Sequence, residues 1–323
     1  MSVVPTRQGW MTYSSKALLL ASTPLLFALI LPSEHLVAQG RSELREIPPF
    51  QLPSDVKVEH HLTYARYGHR ELHLDLYHPA NGNGPFPGIV FIHGGGWSGG
   101  PAIQFRRQAA YLASKGFVGA TIEYRLSGEA KYPAAVYDCK AAVRWMRANV
   151  KKYKINPQQI AAAGGPAGGH LAALLGTTNN ISAFDGNGGN ARFSSRVEAI
   201  VAFNGIYDFV GLAEKSPNRS LIERSVPQFL GGPLHEVPEV YVEASPVAHA
   251  CKHSPPFLLL HGTADTTSPY SQALEMQKAL ERAGGKAELY SAKGANHGFF
   301  NSSPYYEPTL MQMERFLRSV FGN

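Results

Sequence analysis

Cysteine and charge are both scarce in this chain. Two cysteines, Cys139 and Cys251, occur among 323 residues, and charged residues make up 17%. No Cys/His spacing follows the pattern of a zinc site, so we expect no metal. Export would permit a disulfide between the two cysteines, and two separate thiols are the alternative.

Clusters of positive charge are also missing. The formal net charge is +6, yet the longest basic group is Lys151-Lys152-Tyr153-Lys154, near the end of a predicted helix. Cations at that position stabilise the helix macrodipole, so this group predicts a solvated helix end rather than a nucleic-acid partner. The glycine-rich turns lack the Gly-Lys-Ser/Thr ending of a phosphate-binding loop, and no cofactor is expected.

No hydrophobic run reaches the length of about 20 residues that a membrane-spanning helix needs. The longest run, Ala17 to Leu31, follows Arg7 and Lys16, and a more polar segment with Ala38 comes after it. This three-part pattern predicts a signal peptide over residues 1–38. We therefore expect an exported protein, periplasmic or secreted, with no integral span after signal removal. An uncleaved membrane anchor is the alternative.

Apolar runs typical of buried strands alternate with helical patterns after a linker over residues 39–56. The alternation predicts a mostly parallel sheet with helices on both faces. The predicted domain covers residues 57–323, and its segment 210–250 is an insertion placed to cap a site. The expected strands are 57–67, 71–77, 88–92, 117–124, 160–163, 198–203, 256–261 and 286–290. The expected helices are 105–115, 134–150, 272–283 and 308–321.

The most informative absence is a serine. The turn Gly164-Gly165-Pro166-Ala167-Gly168-Gly169-His170 joins a predicted strand to a predicted helix. In that setting Gly-x-Ser-x-Gly marks a nucleophile elbow, and here Pro166 occupies the serine position. Proline fixes φ near about −65° and has no N–H. We therefore expect an altered turn, and a Pro166→Ser variant that is more stable by about 1 kcal/mol if the proline is strained.

A second glycine-rich turn, His93-Gly94-Gly95-Gly96-Trp97, follows the predicted strand that ends at Ile92. Its backbone N–H groups and that of Ala167 are suited to hold a developing oxyanion, and we expect Gly94, Gly95 and Ala167 to do so. An ordinary glycine-rich turn is the alternative interpretation of this motif.

A carboxylate and a histidine follow the last two predicted strands. Asp265 and His297 come after the elbow in the order that Ser, Asp and His take in one class of catalytic triad. Asp208 is the rival carboxylate, and Ser98 is the nearest substitute nucleophile. Four other histidines have simpler interpretations, as surface groups (His60, His61) or as supports of the glycine turns (His93, His170).

Together these motifs resemble the α/β-hydrolase superfamily, in particular esterases and lipases with an HGGGW loop of the hormone-sensitive-lipase-like and bacterial feruloyl-esterase-like group. The resemblance covers about residues 57–321. It implies a carboxylic ester hydrolase that acts on small-molecule esters through an acyl-enzyme. His297 would be the base, Asp265 would orient it, and a serine would attack from position 166.

Pro166 leaves three hypotheses open. In the first hypothesis, the chain is an exported esterase whose relatives carry serine at this position, and the proline is a variant, an engineered change or a sequence error. Alternatively, the chain is a non-catalytic hydrolase fold that binds an ester or carbohydrate. In the third hypothesis, His297 activates water directly, with the residual catalysis that survives the loss of a triad member.

Overall fold

The computed structural model describes residues 49–216 and 218–322. The predicted signal peptide and most of the predicted linker lie outside this part of the chain. Within it, eight strands form one sheet in the order β1-β2-β4-β3-β5-β6-β7-β8. The strands are β1 Val56–Tyr67, β2 Arg70–Pro79, β3 Phe86–Ile92, β4 Val118–Ile122, β5 Ile155–Gly164, β6 Ala199–Phe203, β7 Phe257–Gly262 and β8 Ala287–Ala292.

Strand β2 alone runs against the others, because it pairs antiparallel with both β1 and β4 while the remaining pairs are parallel. The sheet is thus mostly parallel, as the sequence predicts. Strand β5 begins at Ile155, earlier than the apolar run at Ile160, since its polar start still pairs with Phe86 across a register shift. Backbone pairing here extends beyond the buried side chains.

The helices within the described residues flank the sheet. They are α1 Arg106–Ser114, α2 Ala134–Ala148, α3 Val150–Tyr153, α4 Ala167–Thr177, α5 Phe209–Lys215, α6 Val226–Leu230, α7 Pro238–Glu243, α8 Ser271–Arg282 and α9 Tyr306–Phe321. The predicted helix 134–150 stops at Ala148, and α3 adds one more turn before Lys154, whose φ is 54°. None of these helices is long and apolar enough to cross a bilayer.

Two apolar cores lie on opposite faces of the sheet. Alternate residues of β5 contribute to each, with Ile160 and Ala162 on one face and Ala161 and Ala163 on the other. Because successive side chains of a strand point to opposite faces, a continuous apolar run indicates a strand covered on both sides. Helices α2, α4 and α8 cover the first face, and α1 and α9 cover the second.

The segment between β6 and β7 carries α5, α6 and α7, together with a π-helical turn Leu221–Ser225 and a 3₁₀ turn Pro246–His249. It corresponds to the insertion expected over 210–250. The two cysteines are separate free thiols, Cys139 inside α2 and Cys251 in the loop before β7.

Candidate active site

The site lies where the parallel strands end. Strand β3 is flanked by β4 on one side and β5 on the other, so the chain connections diverge on either side of β3. A crevice forms at such a topological switch point, outside the carboxyl ends of the strands. The His93 turn follows β3 and the Pro166 elbow follows β5, which places both turns at this crevice.

The elbow is built on close backbone contact. A Cβ added to Gly168 would lie 2.0 Å from the carbonyl oxygen of Ile92, and one added to Gly164 would lie 2.4 Å from the carbonyl oxygen of Gly168. Strand β5, helix α4 and the end of β3 therefore approach one another more closely than any side chain would allow.

Pro166 adopts φ −64° and ψ −46°, in the right-handed helical region, directly before Ala167 at the start of α4. These angles match the preferred φ of proline, so Pro166 itself is not strained. The altered turn expected from the sequence is a helical geometry, which proline tolerates at a helix start. The strain that would have made a serine variant more stable is absent. Pro166 is partly exposed and lines the cavity described below.

Asp265 and His297 are brought together by the loops after β7 and β8. His297 Nδ1 lies 2.7 Å from Asp265 Oδ2, the carboxylate is fully buried, and the His297 side chain is 29% exposed. The other carboxylate oxygen accepts the N–H groups of Thr267 and Ser268 at 2.8 and 2.9 Å. Because these donors fix the carboxylate, Asp265 holds the imidazole in one orientation.

The charge of Asp265 is well compensated. Burial acts to raise its pKa, but the nearby rings of His261 and His297 and the N–H of Ser268 outweigh burial and hold the pKa well below its usual range. His261 Nε2 lies 3.5 Å from Asp265 Oδ2 and 2.8 Å from the carbonyl of Ser268. Asp265 is therefore an anion at every pH near neutrality.

The rival carboxylate has a structural role, and the other candidate groups lie outside the hydrogen-bonded pair of Asp265 and His297. Asp208 caps helix α5, accepting the N–H of Gly211 at 3.0 Å. Ser98 is exposed, and its hydroxyl lies 3.5 Å from the carbonyl of Gly95. His93 Nδ1 is 2.7 Å from the carbonyl of Gly94, which supports the turn. His60 is mostly exposed and pairs with Asp75.

A cavity of about 290 Å³ connects the two turns with the loop of His297. Its lining is mostly apolar and joins residues from every motif and from the insertion: Gly95, Gly96, Trp97, Gln104, Pro166, Ala167, Ile206, Leu221, Thr267, Ser268, His297, Gly298, Phe300 and Asn301. Ala167 opens α4, where N–H groups have no intrahelical acceptor. Its N–H is therefore suited to a developing negative charge.

Gly94 differs from its two neighbours in this turn. Its N–H donates to Gln104 Oε1 at 2.6 Å, whereas Gly95 and Gly96, with φ of 117° and 59°, line the cavity. The sequence assigned Gly94 and Gly95 to the oxyanion turn. The structure commits the Gly94 N–H to Gln104 and places Gly96 at the cavity beside Gly95.

Asn204 is a residue that the sequence reasoning missed. It follows β6, is fully buried, has φ 48°, and donates from Nδ2 to the carbonyl of His297. Its Oδ1 lies 3.4 Å from the N–H of Gly262, at the end of β7. Asn204 thus ties the loop of His297 to the sheet. The signal available in the sequence was an Asn-Gly pair directly after a buried strand.

Known proteins with similar sequences are esterases or probable esterases. Residues 74–280 match the BD-FAE family model. The Mycobacterium tuberculosis esterase LipC is 36% identical over 67% of this chain and 53% of its own length. The probable carboxylic ester hydrolase LipM of that organism is 32% identical over 81% of this chain and 61% of its own length. This chain thus spans about half to three fifths of the length of these curated relatives.

Solved structures of esterases share the fold. A truncated carbohydrate esterase from gut microbiota superposes with a TM-score of 0.73 at 28% identity, covering 81% of this chain and 96% of that one. Esterase 2 of Thermogutta terrifontis, solved with butyrate bound, gives a TM-score of 0.69 at 32% identity, covering 84% of this chain and 96% of its own. Both are α/β-hydrolase esterases, which agrees with the sheet described above.

Proposed function

The chain belongs to the BD-FAE family, and from that premise we propose that it binds small esters in its cavity without cleaving them through an acyl-enzyme. One observation carries this proposal. Pro166 stands where the elbow would present a serine, while Asp265 and His297 are hydrogen-bonded at the same cavity. The chain thus keeps the base and the place for the ester, but its elbow has no hydroxyl to attack the ester.

The cavity favours a short, uncharged acyl group. Its lining is mostly apolar, with Trp97, Ile206, Leu221 and Phe300 among the large side chains, and its volume is about 290 Å³. Burial of apolar ligand surface against such walls contributes about 25 cal/mol per Å². The butyrate found in the similar Thermogutta esterase supports a ligand of this size.

Hydrolysis of p-nitrophenyl butyrate separates the possibilities. We expect the chain with Pro166 to show no hydrolysis that depends on His297. Pro166→Ser should gain activity on the order of 10³-fold or more, since the triad members act as a unit. Pro166→Ala is the matched control, because it restores the backbone N–H without a hydroxyl and should stay inactive.

Two results would contradict this proposal. Activity of the Pro166 chain that disappears in His297→Ala would show that the native site already hydrolyses esters. A folded Pro166→Ser variant without activity would leave binding in place but would show that the missing hydroxyl is not what prevents cleavage.

Binding is measured separately, by saturation-transfer NMR with ethyl butyrate. Leu221→Trp narrows the cavity and should abolish the signal, whereas Met311→Trp, on an exposed part of α9, should leave it unchanged. Equal signals from the two variants would place the ester elsewhere on the protein.

A further inference from the structure

His297 lacks a serine partner, yet it is arranged as a base. Its Nδ1 is engaged by the buried Asp265 carboxylate at 2.7 Å. That bond places the ring proton on Nδ1 and leaves the lone pair on Nε2. The side chain is 29% exposed and lines the cavity. Pro166 has no hydroxyl whose proton His297 could take. When an ester is bound, the protons that lie within reach of His297 are those of the ester itself.

The same cavity holds donors for a developing oxyanion. Ala167 begins α4, an 11-residue helix whose first N–H groups have no intrahelical acceptor. Gly95 and Gly96 bring the backbone of the His93 turn to the cavity wall. Donors of this kind stabilise negative charge on a carbonyl oxygen whether it arises from nucleophilic attack or from loss of an α-proton.

A base and oxyanion donors in a mostly apolar cavity are the requirements for enolisation. We infer that this site catalyses reversible proton abstraction from the α-carbon of small carbonyl compounds, with β-keto esters as the substrate class. The inference rests on the proposed function, because it needs the cavity to bind small esters. It goes beyond that function, because it assigns a reaction to His297 in the absence of a nucleophile.

The step balances without a co-reactant. His297 Nε2 takes the α-proton, the C–H electron pair forms the C=C bond, and the carbonyl π-electrons move onto oxygen as an enolate. The N–H groups at Ala167, Gly95 and Gly96 hold that oxygen. Return of a proton from the imidazolium to the α-carbon restores the substrate, and exchange of the imidazolium proton with solvent leads to isotope exchange at carbon.

The apolar walls favour this step over direct attack by water. Ile206, Leu221 and Phe300 line the cavity, so a bound ester displaces solvent from the volume in front of His297. The α-proton of a β-keto ester then lies within the same volume as the imidazole. Water attack would need an ordered water in that space.

Deuterium exchange at C2 of ethyl 2-methylacetoacetate, followed by ¹H NMR in D₂O, measures the reaction. We expect the chain with its native Pro166 to accelerate exchange over buffer by on the order of 10²-fold, the usual contribution of a positioned base. His297→Gln and Asp265→Asn should return the rate to background. His60→Gln, on β1 at the far edge of the sheet, is the matched control and should keep full exchange.

Each other outcome has a defined meaning. Saturation-transfer binding of the probe without His297-dependent exchange overturns the enolisation and leaves the proposed function standing. Release of ethanol without exchange overturns it too, since the base would then activate water. Failure of the probe and of ethyl butyrate to bind overturns both proposals. Thermal unfolding of each variant establishes that it is folded, and Pro166→Ser should shift the reaction from exchange toward ester cleavage.

Discussion

The indole N–H of Trp97 donates to Nδ1 of His170 across 3.1 Å, and His170 Nε2 lies 2.8 Å from the carbonyl of Ala244. The first bond makes Nδ1 the acceptor, so the proton of the neutral ring is on Nε2 and points to Ala244. Trp97 also stacks on Phe229 with ring centroids 4.6 Å apart. These contacts join the His93 turn, the elbow helix and the insertion behind the cavity.

Trp97→Phe keeps the aromatic stack but removes the donor. His170 Nδ1 is then a buried acceptor without a partner, and we expect a loss of about 1–3 kcal/mol in the free energy of unfolding. Urea unfolding measures it. A double-mutant cycle with His170→Leu isolates the bond. If Trp97→Phe costs the same in both backgrounds, the hydrogen bond contributes nothing.

His170 should also make stability depend on pH. Burial lowers its pKa from 6.5 to about 4, while the bond to Ala244 acts in the opposite direction. Above pH 6.5 both folded and unfolded forms are neutral. Between pH 6.5 and 4 the unfolded chain binds a proton at His170 and the folded chain does not. The free energy of unfolding therefore falls by ~3 kcal/mol in total as the pH is lowered over this range.

The comparison is between the native chain and His170→Gln, unfolded in urea at several pH values from 7 to 4. The variant should lose part of the acid sensitivity. Burial lowers the pKa of His93 as well, so some sensitivity remains in both. An unchanged pH slope in His170→Gln would show that this histidine is not the source.

Much of the site could be predicted because strand ends converge. Asp265 and His297 are 32 residues apart in the chain, but each follows a parallel strand, and neighbouring parallel strands end at the same edge. Their placement at one edge therefore follows from the pattern of predicted strands and turns, and the structure adds the hydrogen bond of 2.7 Å. The order of the strands in the sheet could not be predicted from the sequence, because apolar runs do not specify which strands pair.

Contacts between side chains and the backbone could not be predicted from the sequence. The bond from Gly94 to Gln104 depends on how a 3₁₀ turn, Ala102–Phe105, folds back over the glycine turn. The contact of Asn204 with the loop of His297 depends on packing of three separate strand ends. The sequence predicts an altered turn at Pro166 but not its geometry, which the structure shows to be helical and unstrained.

Pro166→Ser should slightly lower stability. Because φ is −64° in the folded protein, proline is unstrained there and restricts the unfolded chain. Its replacement by serine or alanine should cost about 0.4–1 kcal/mol through added unfolded-state entropy. Equilibrium unfolding of the Ser and Ala variants tests this, and a serine form more stable than the native chain would restore the strained-proline interpretation.

The stability of the protein should depend on which residue replaces Asn204. Both Asn204→Gly and Asn204→Ala lose the bond to the carbonyl of His297. Alanine also has to adopt the left-handed φ of 48°, which costs about 1–2 kcal/mol that glycine avoids. We expect Ala to destabilise more than Gly by that amount in urea unfolding. In the Pro166→Ser background, both should lower kcat because the loop of His297 loses its anchor.

Lys140 should stabilise the loop that follows α4. It is fully buried in α2, and its ammonium donates to the carbonyl of Thr178 at 2.9 Å and to Asp185 at 3.3 Å. Burial lowers the pKa of Lys140, opposed by the charge of Asp185. Lys140→Met matches the length of the stem but leaves the buried carbonyl of Thr178 without this donor, so we expect a loss of about 1–3 kcal/mol in the free energy of unfolding.

Lys278→Met, at an exposed position of α8, is the matched control and should leave the free energy of unfolding nearly unchanged. Hydrogen exchange over residues 178–196 should rise in Lys140→Met, and unchanged protection there would contradict this role.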